Sequence, residues 1–174
     1  MLLFVGRIQP LKAPDVLRAR GRRDGGRDPV AARHAPGRRV RRPLGLRPGA
    51  PARARGTCDR ARRPHLVRFV PPVDRVRLAD WYRAADVCVV PSYSESFGLV
   101  AVEVQACGTP VVAARVGGLP TAVADGVSGL LVDGHDPQTW GRAPCDVVGD
   151  RDRLERWSQA AVGHALRFGW DAAG

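Results

Sequence analysis

The chain has 174 residues, 44% of them hydrophobic, which is enough for one domain with a sizeable core. No apolar run approaches the roughly 18 residues of a membrane span, and the opening residues lack the basic leader of a signal peptide. The net charge of +11 comes from residues 17–66, which hold 16 of the 28 basic residues and only three acids, so the other 124 residues have a net charge of −2. The charge therefore marks one segment, which argues against a folded basic face for nucleic acid.

Three stretches of the chain differ in composition. Residues 1–16 predict a first strand over 2–5, then a Gly-Arg turn and the start of a helix near Ala13. In residues 17–66, Arg, Ala, Gly and Pro supply 37 of 50 positions, and no helical or strand period is present. So little apolar surface cannot offset the entropy of ordering, and we expect this segment to be disordered. Residues 67–174 return to a globular pattern.

The globular part alternates apolar runs of strand length with segments of helical spacing. Continuous apolar runs are typical of parallel strands that are buried on both faces. The alternation predicts an α/β domain with a parallel sheet. Strands are predicted at 67–70, 87–91, 110–114 and 130–132, and helices at 76–85, 98–106, a short stretch through 123, 137–148 and 151–167.

The cysteines bear on the cellular compartment. Four cysteines lie far apart, with no C-x-x-C pair and no histidine at ligand spacing. We therefore expect free thiols in a reducing, cytoplasmic environment. We also expect no membrane partner, because no apolar run is long enough, and no nucleic-acid partner, because the charge belongs to one segment. The four are Cys58, Cys88, Cys107 and Cys145.

Two cations, Arg7 and Lys12, follow the first predicted strand. Ligands in open α/β sheets bind at this end of the strands. A diphosphate leaving group needs one fork-shaped donor and one point charge to neutralise the charge that develops as its bond breaks. The alternative is two solvated surface charges beside a strand end.

Two carboxylates, Glu95 and Glu103, flank the predicted start of a helix at Gly98. The free backbone amides over 97–100 and the helix dipole favour an anion there. A carboxylate can accept two hydrogen bonds from a sugar diol. Because Glu103 stands between apolar valines, an unpaired acid would be costly, which favours a binding role over a surface charge. Further along, Gly117-Gly118 is either a turn required by backbone geometry or a close approach to a sugar.

These motifs together resemble the family 4 retaining glycosyltransferases, whose hallmark is E-x7-E. The resemblance covers LLFVGRIQPLKAPDVL, ADWYRAADVCVVPSYSESFGLVAVEVQACGTPVVAARVGGLPTAVADGVSGLLVDGHDP and RFGWD. It implies a Rossmann-like parallel-sheet domain, the truncated C-terminal half of a two-domain GT-B fold. The N-terminal acceptor domain is absent from this sequence, so we expect the chain alone to be inactive.

The resemblance also implies the role of each matching residue. Arg7 and Lys12 would bind the donor diphosphate, Glu103 the ribose hydroxyls, and Glu95 the hydroxyls of the transferred sugar. The catalytic residues would be Arg7, Lys12 and Glu95, and the donor site would add Val73 at the uracil, Phe97, Gly98, Leu99, Val100 and Glu103. No catalytic metal is expected, but a structural magnesium is implied near Tyr82, Arg83, Ala85 and Thr109.

For the substrates, the resemblance implies UDP-N-acetylglucosamine as donor and 1D-myo-inositol 3-phosphate as acceptor, in mycothiol biosynthesis, with a homodimer for the intact parent. Residues 17–66 have the length that the family uses there but a foreign composition, which suggests a shifted reading frame in GC-rich DNA. Three alternatives stay open: a non-catalytic remnant of a degraded gene, a family 4 enzyme with another acceptor, and a nucleic-acid binder. The last lacks aromatic residues over 17–66 for base stacking.

Overall fold

The computed structural model describes residues 1–7, 9–17 and 70–169. Their four strands form one sheet in the order β1-β2-β3-β4, and each neighbouring pair is parallel. In chain order the elements are β1 (Leu2–Leu3), a 3₁₀ helix (Pro10–Lys12), α1 (Arg75–Ala84), β2 (Val87–Val90), α2 (Leu99–Ala106), β3 (Val111–Ala114), α3 (Leu119–Ala122), β4 (Gly129–Val132), α4 (Pro137–Gly149) and α5 (Arg151–Leu166).

The predicted α/β domain with a parallel sheet is confirmed. Strands β2 and β3 are buried along their whole length, as their continuous apolar sequences predict for strands covered on both faces. One core layer packs Tyr82 and residues of α2 and α3 against alternate positions of these strands. The other layer packs Trp140 of α4 and Trp157 of α5 against the remaining positions.

The beginning of the chain differs from the prediction. Strand β1 covers only Leu2–Leu3, and a 3₁₀ helix over Pro10–Lys12 stands before the predicted helix start near Ala13. Ala13 adopts a left-handed φ of 47°, and a non-glycine residue in this conformation ends the turn instead of starting a helix. Residues 18–69 lie outside the described part, and with them nearly all of the 17–66 segment and of the strand predicted at 67–70.

Aspartates set the starts of the three long helices. Asp74, Asp136 and Asp150 each accept a hydrogen bond from the backbone N–H three residues later, as an N-cap does.

Within the described ranges, no helix combines the length and the apolarity that crossing a membrane requires. Cys145 is disulfide-bonded, so the expectation of free thiols is wrong for this residue, whereas Cys88 and Cys107 are free.

Candidate functional site

The connections that follow β1 and β2 meet at the carboxyl edge of the sheet. Because the strands are parallel and adjacent, the loops that leave them emerge side by side. The backbone N–H of Tyr93, in the loop after β2, donates to the carbonyl of Leu11 in the loop after β1 at 2.9 Å. This bond fixes the two loops that carry the predicted cations and the first predicted carboxylate.

The same junction brings Lys12 and Glu95 together. The Lys12 ammonium donates to the Glu95 carboxylate, although 83 positions separate the two residues in the chain. Their side chains are 27% and 18% exposed, so the ion pair is largely shielded from water but remains accessible. Arg7 is exposed, and its side chain is not part of the ion pairs found in the described ranges. Two of the three predicted catalytic residues therefore meet, and the role of Arg7 stays a prediction.

Two glycines hold the loop that carries Glu95. A Cβ added to Gly117 would lie 1.9 Å from the Glu95 carbonyl oxygen, and one added to Gly118 would lie 2.4 Å from that of Ser96. The Gly118 N–H donates to the Glu95 carbonyl at 2.9 Å. Of the two roles that the sequence left open, this contact supports the requirement of backbone geometry, because both glycines let two backbone segments approach closely, and it sets the position of Glu95. The close approach to a sugar stays a prediction.

The amino end of α2 lies in the same loop. Gly98 is its N-cap with a φ of 88°, and no side chain caps this end of the helix. The first N–H groups of a helix have no intrahelical partner, so the amides over 97–100 can bind an anion. Gly98 is buried, whereas the side chains of Phe97 and Leu99 are exposed. Gly98 tolerates no larger residue easily, since an added Cβ would lie 2.9 Å from a methyl carbon of Leu119.

The surroundings of Glu103 correct one step of the sequence argument. Glu103 has apolar neighbours, but it is exposed and not buried, because it shares the outward stripe of α2 with Leu99 and Ala106. The adjacent Val104 points inward and is fully buried. The Glu103 carboxylate accepts a hydrogen bond from the Tyr82 hydroxyl at 3.2 Å.

A groove of about 310 Å³ runs beside Glu103 between α2 and α5. Among the described residues that line it, Glu103 is the only charged one. The groove thus combines apolar walls with a single carboxylate. The lining residues are Leu99, Val102, Glu103, Ala106, Val162, Ala165, Leu166, Phe168 and Gly169.

Val73 lies one residue before the N-cap of α1 and is half-buried. The hydrogen bonds of the described ranges do not link it to Lys12, Glu95 or Glu103. Its assignment to the uracil therefore stays a prediction.

The predicted magnesium residues partly cluster. The Thr109 hydroxyl donates to the backbone carbonyl of Tyr82 at 2.6 Å, and the Ala85 N–H donates to the same oxygen at 3.1 Å. The Arg83 side chain points to Asp80. Magnesium requires a near-octahedral set of free oxygen ligands, and here the Tyr82 oxygen already accepts two bonds. The described residues do not form such a set, and the structural magnesium stays a prediction.

Ser92 and His135 were missed by the sequence analysis. Ser92 lies two residues after the end of β2 and is 1% exposed, and its hydroxyl has no hydrogen-bond partner among the residues described. A ring nitrogen of His135 lies 3.1 Å from the Ser92 carbonyl, and the His135 ring is 4.2 Å from the ring of Tyr93. Their position in the sequence could have identified them, because both residues follow buried strands at the carboxyl edge of the sheet.

Comparisons with known proteins agree on one class. The family model described as "Glycosyl transferases group 1" matches residues 46–150. The chain is 55% identical over 172 residues to the D-inositol 3-phosphate glycosyltransferase 2 of Catenulispora acidiphila, and 53% identical over 180 residues to the D-inositol 3-phosphate glycosyltransferase of Thermobispora bispora. Both alignments cover 99% of this chain and 40% of the relative. The solved structure of sucrose-phosphate synthase from Thermosynechococcus elongatus is similar with a TM-score of 0.61 and 39% identity, over 67% of this chain and 30% of that chain.

These alignments also show how much of its relatives' length the chain covers. The chain spans about 40% of the length of the curated relatives it matches. Both alignments run across residues 17–66, and the family match begins at residue 46, inside that segment. The shifted reading frame is not tested by them and stays a prediction.

Proposed function

Because this chain belongs to the group 1 glycosyl transferases and has their α/β fold, we propose that it forms the nucleotide-sugar half of a retaining GT-B glycosyltransferase. The full-length protein would transfer N-acetylglucosamine from UDP-N-acetylglucosamine to 1D-myo-inositol 3-phosphate, a step of mycothiol biosynthesis. The names of the Catenulispora and Thermobispora relatives support the acceptor. Since the chain spans about 40% of those relatives, we assign donor binding to this chain and the complete transfer to the full-length protein.

The observation that carries the proposal is the contact between Lys12 and Glu95 beside the uncapped amino end of α2. A cation and a set of free backbone N–H groups at one point are the chemistry that binds a diphosphate. A carboxylate within reach of that point suits the hydroxyls of the sugar that the diphosphate carries. Two solvated charges at unrelated places would not have this arrangement.

In the proposed reaction an acceptor hydroxyl attacks the anomeric carbon from the face that UDP leaves. The bond between that carbon and the diphosphate oxygen breaks, the electron pair stays on UDP, and the departing phosphate oxygen accepts the proton of the acceptor hydroxyl. Lys12, Arg7 and the amides over 97–100 stabilise the charge that develops there. Donor binding requires Lys12 to exchange its partner from Glu95 to phosphate, which frees Glu95 for the sugar. Glu103 and the backbone at Val73 hold the ribose and the uracil.

No step of this scheme uses a metal. A cytoplasmic location, a homodimer of the full-length protein and the absence of a nucleic-acid partner belong to the proposal. Another acceptor within the family is the alternative, and an assay of the full-length protein against a panel of cyclitol phosphates and sugars separates the two. A non-catalytic remnant would bind no donor, which the next experiment tests.

Lys12 is the only lysine of the chain, so one chemical label reports on the site. Reductive methylation with ¹³C-formaldehyde keeps the positive charge and gives one side-chain signal besides the amino terminus. UDP should shift this signal and uridine should not, because the proposed partner of Lys12 is the diphosphate. Lys12→Ala should weaken the binding of UDP by about 1–3 kcal/mol and leave the binding of uridine nearly unchanged.

Arg156→Ala is the matched control, because it removes one positive charge from an exposed position of α5 and should affect neither ligand. Equal losses of UDP and uridine on Lys12→Ala would contradict the diphosphate assignment. A wild-type chain that binds neither ligand would contradict the donor site as a whole.

A further inference from the structure

The hydrogen bond between Tyr82 and Glu103 joins a core residue to the proposed ribose ligand. We infer that Tyr82 is a positioning residue, which holds the Glu103 carboxylate in the orientation that accepts the two ribose hydroxyls of a uridine nucleotide. The inference rests on the proposed function for the identity of the ligand. It adds a role for the Tyr82 side chain, whereas the sequence resemblance involved Tyr82 only at the magnesium.

The Tyr82 side has little freedom to move. Its ring is 3% exposed and belongs to the core layer under α1 and α2. Its backbone carbonyl accepts hydrogen bonds from the Thr109 hydroxyl and the Ala85 N–H. A donor attached to such a fixed ring presents its hydroxyl at one place.

The Glu103 side, in contrast, is exposed on the outer stripe of α2. An exposed glutamate samples several rotamers, and ordering it on ligand binding costs side-chain entropy. The bond from Tyr82 limits these rotamers before the ligand arrives, which is pre-organisation. Burial, and then the negative charge of Glu103, raise the pKa of Tyr82 above its ordinary range, so the hydroxyl remains a donor at neutral pH.

A purely structural role is the competing explanation. A buried tyrosine hydroxyl needs a partner, and Glu103 would then serve Tyr82 and not the reverse. The two roles differ in what the hydroxyl affects. A structural hydroxyl affects every ligand equally, whereas a positioning hydroxyl affects only ligands that carry the ribose diol.

The experiment compares UDP with 2′,3′-dideoxyuridine diphosphate on the full chain. Tyr82→Phe keeps the ring and removes the hydroxyl. It should weaken UDP about three- to tenfold, the scale of one hydrogen bond, and leave the dideoxy ligand unchanged. In a Glu103→Gln background, Tyr82→Phe should cause no further loss of UDP, because the group that it positions is altered already.

Each other outcome is decisive. Equal losses for both ligands on Tyr82→Phe would overturn the positioning role, as would a Tyr82→Phe variant that no longer folds, since the inference gives the hydroxyl no packing function. A further loss in the Glu103→Gln background would overturn it too. If wild type binds UDP and the dideoxy ligand equally, Glu103 does not contact ribose, and the ribose part of the proposed function fails together with the inference.

Discussion

Glu95 and Glu103 are eight residues apart, yet the fold holds them by different chemistry. Glu95 lies in a loop and pairs with a cation, Lys12. Glu103 lies on a helix and accepts a bond from a buried neutral phenol, Tyr82. A cation can change to a new anionic partner when a diphosphate arrives, whereas a neutral donor leaves the carboxylate with its charge. The spacing of the two acids therefore does not determine their roles, because the partner of each carboxylate determines what it can do.

The two regions also depend on different supports. The position of Glu95 follows from backbone packing against Gly117 and Gly118 at the carboxyl edge of the sheet. The position of Glu103 follows from α2, whose inner residues are buried against the sheet, and from the core around Tyr82. Damage to the glycine loop should therefore affect the Glu95 region alone, and changes in the core should affect the Glu103 region.

The largest expected effect is a loss of stability when the backbone packing that holds the Glu95 loop is disrupted. Gly117→Ala places a Cβ 1.9 Å from the Glu95 carbonyl oxygen at a φ of +52°, so the loop must move, and we expect a loss of roughly 3–5 kcal/mol in the free energy of unfolding. Gly134→Ala is the matched control, with a φ of +67° and no atom within 4 Å, so only the left-handed strain of about 1–2 kcal/mol remains. Urea denaturation measures both. Similar losses in the two variants would mean that the contact with the Glu95 loop is not tight.

The elements of the site could be predicted from sequence, but their contacts could only partly be. Apolar runs and helical spacing predicted β2, β3 and α2, because local periodicity determines them. The carboxyl-edge rule placed Arg7 and Lys12 at the ligand-binding end of the first strand, whereas the contact of Lys12 with Glu95 became visible only in the structure.

Other features had no local signal. The Tyr82–Glu103 bond links residues 21 positions apart on different elements, and the glycine pair is needed only because another loop passes against it. The exposure of Glu103 was misjudged because sequence neighbours on a helix point in different directions. Such contacts depend on packing that periodicity does not encode.

An intermediate effect concerns the neutral groups of the core, Tyr82 and the Cys88 thiol, and the pH dependence of the free energy of unfolding. Burial raises the pKa of the Cys88 thiol from its ordinary 9.0 to about 12, and it also raises the pKa of Tyr82. Above pH 9 the unfolded chain releases these protons while the folded chain keeps them, so the free energy of unfolding should fall as pH rises. Each group contributes up to about 1.4 kcal/mol per pH unit. We expect urea denaturation between pH 9 and 11 to show that the free energy of unfolding falls less steeply with pH for Cys88→Ala than for wild type. An equal pH dependence in the two proteins would show that Cys88 titrates in the folded state as it does in the unfolded chain.

The smallest expected effect concerns the charged pair. Glu95→Gln removes the charge that pairs with Lys12, and because the pair is still partly exposed, the free energy of unfolding should change by less than about 1 kcal/mol. UDP without a sugar should bind about two- to fivefold more tightly, because Lys12 no longer has to leave a carboxylate before it meets the phosphate. Glu155→Gln, on the exposed face of α5, removes the same charge and serves as control. Isothermal titration of UDP at low and at high salt measures both variants. If Glu155→Gln tightens UDP as much as Glu95→Gln does, the gain comes from net charge alone, and the exchange of partners at Lys12 has no part in it.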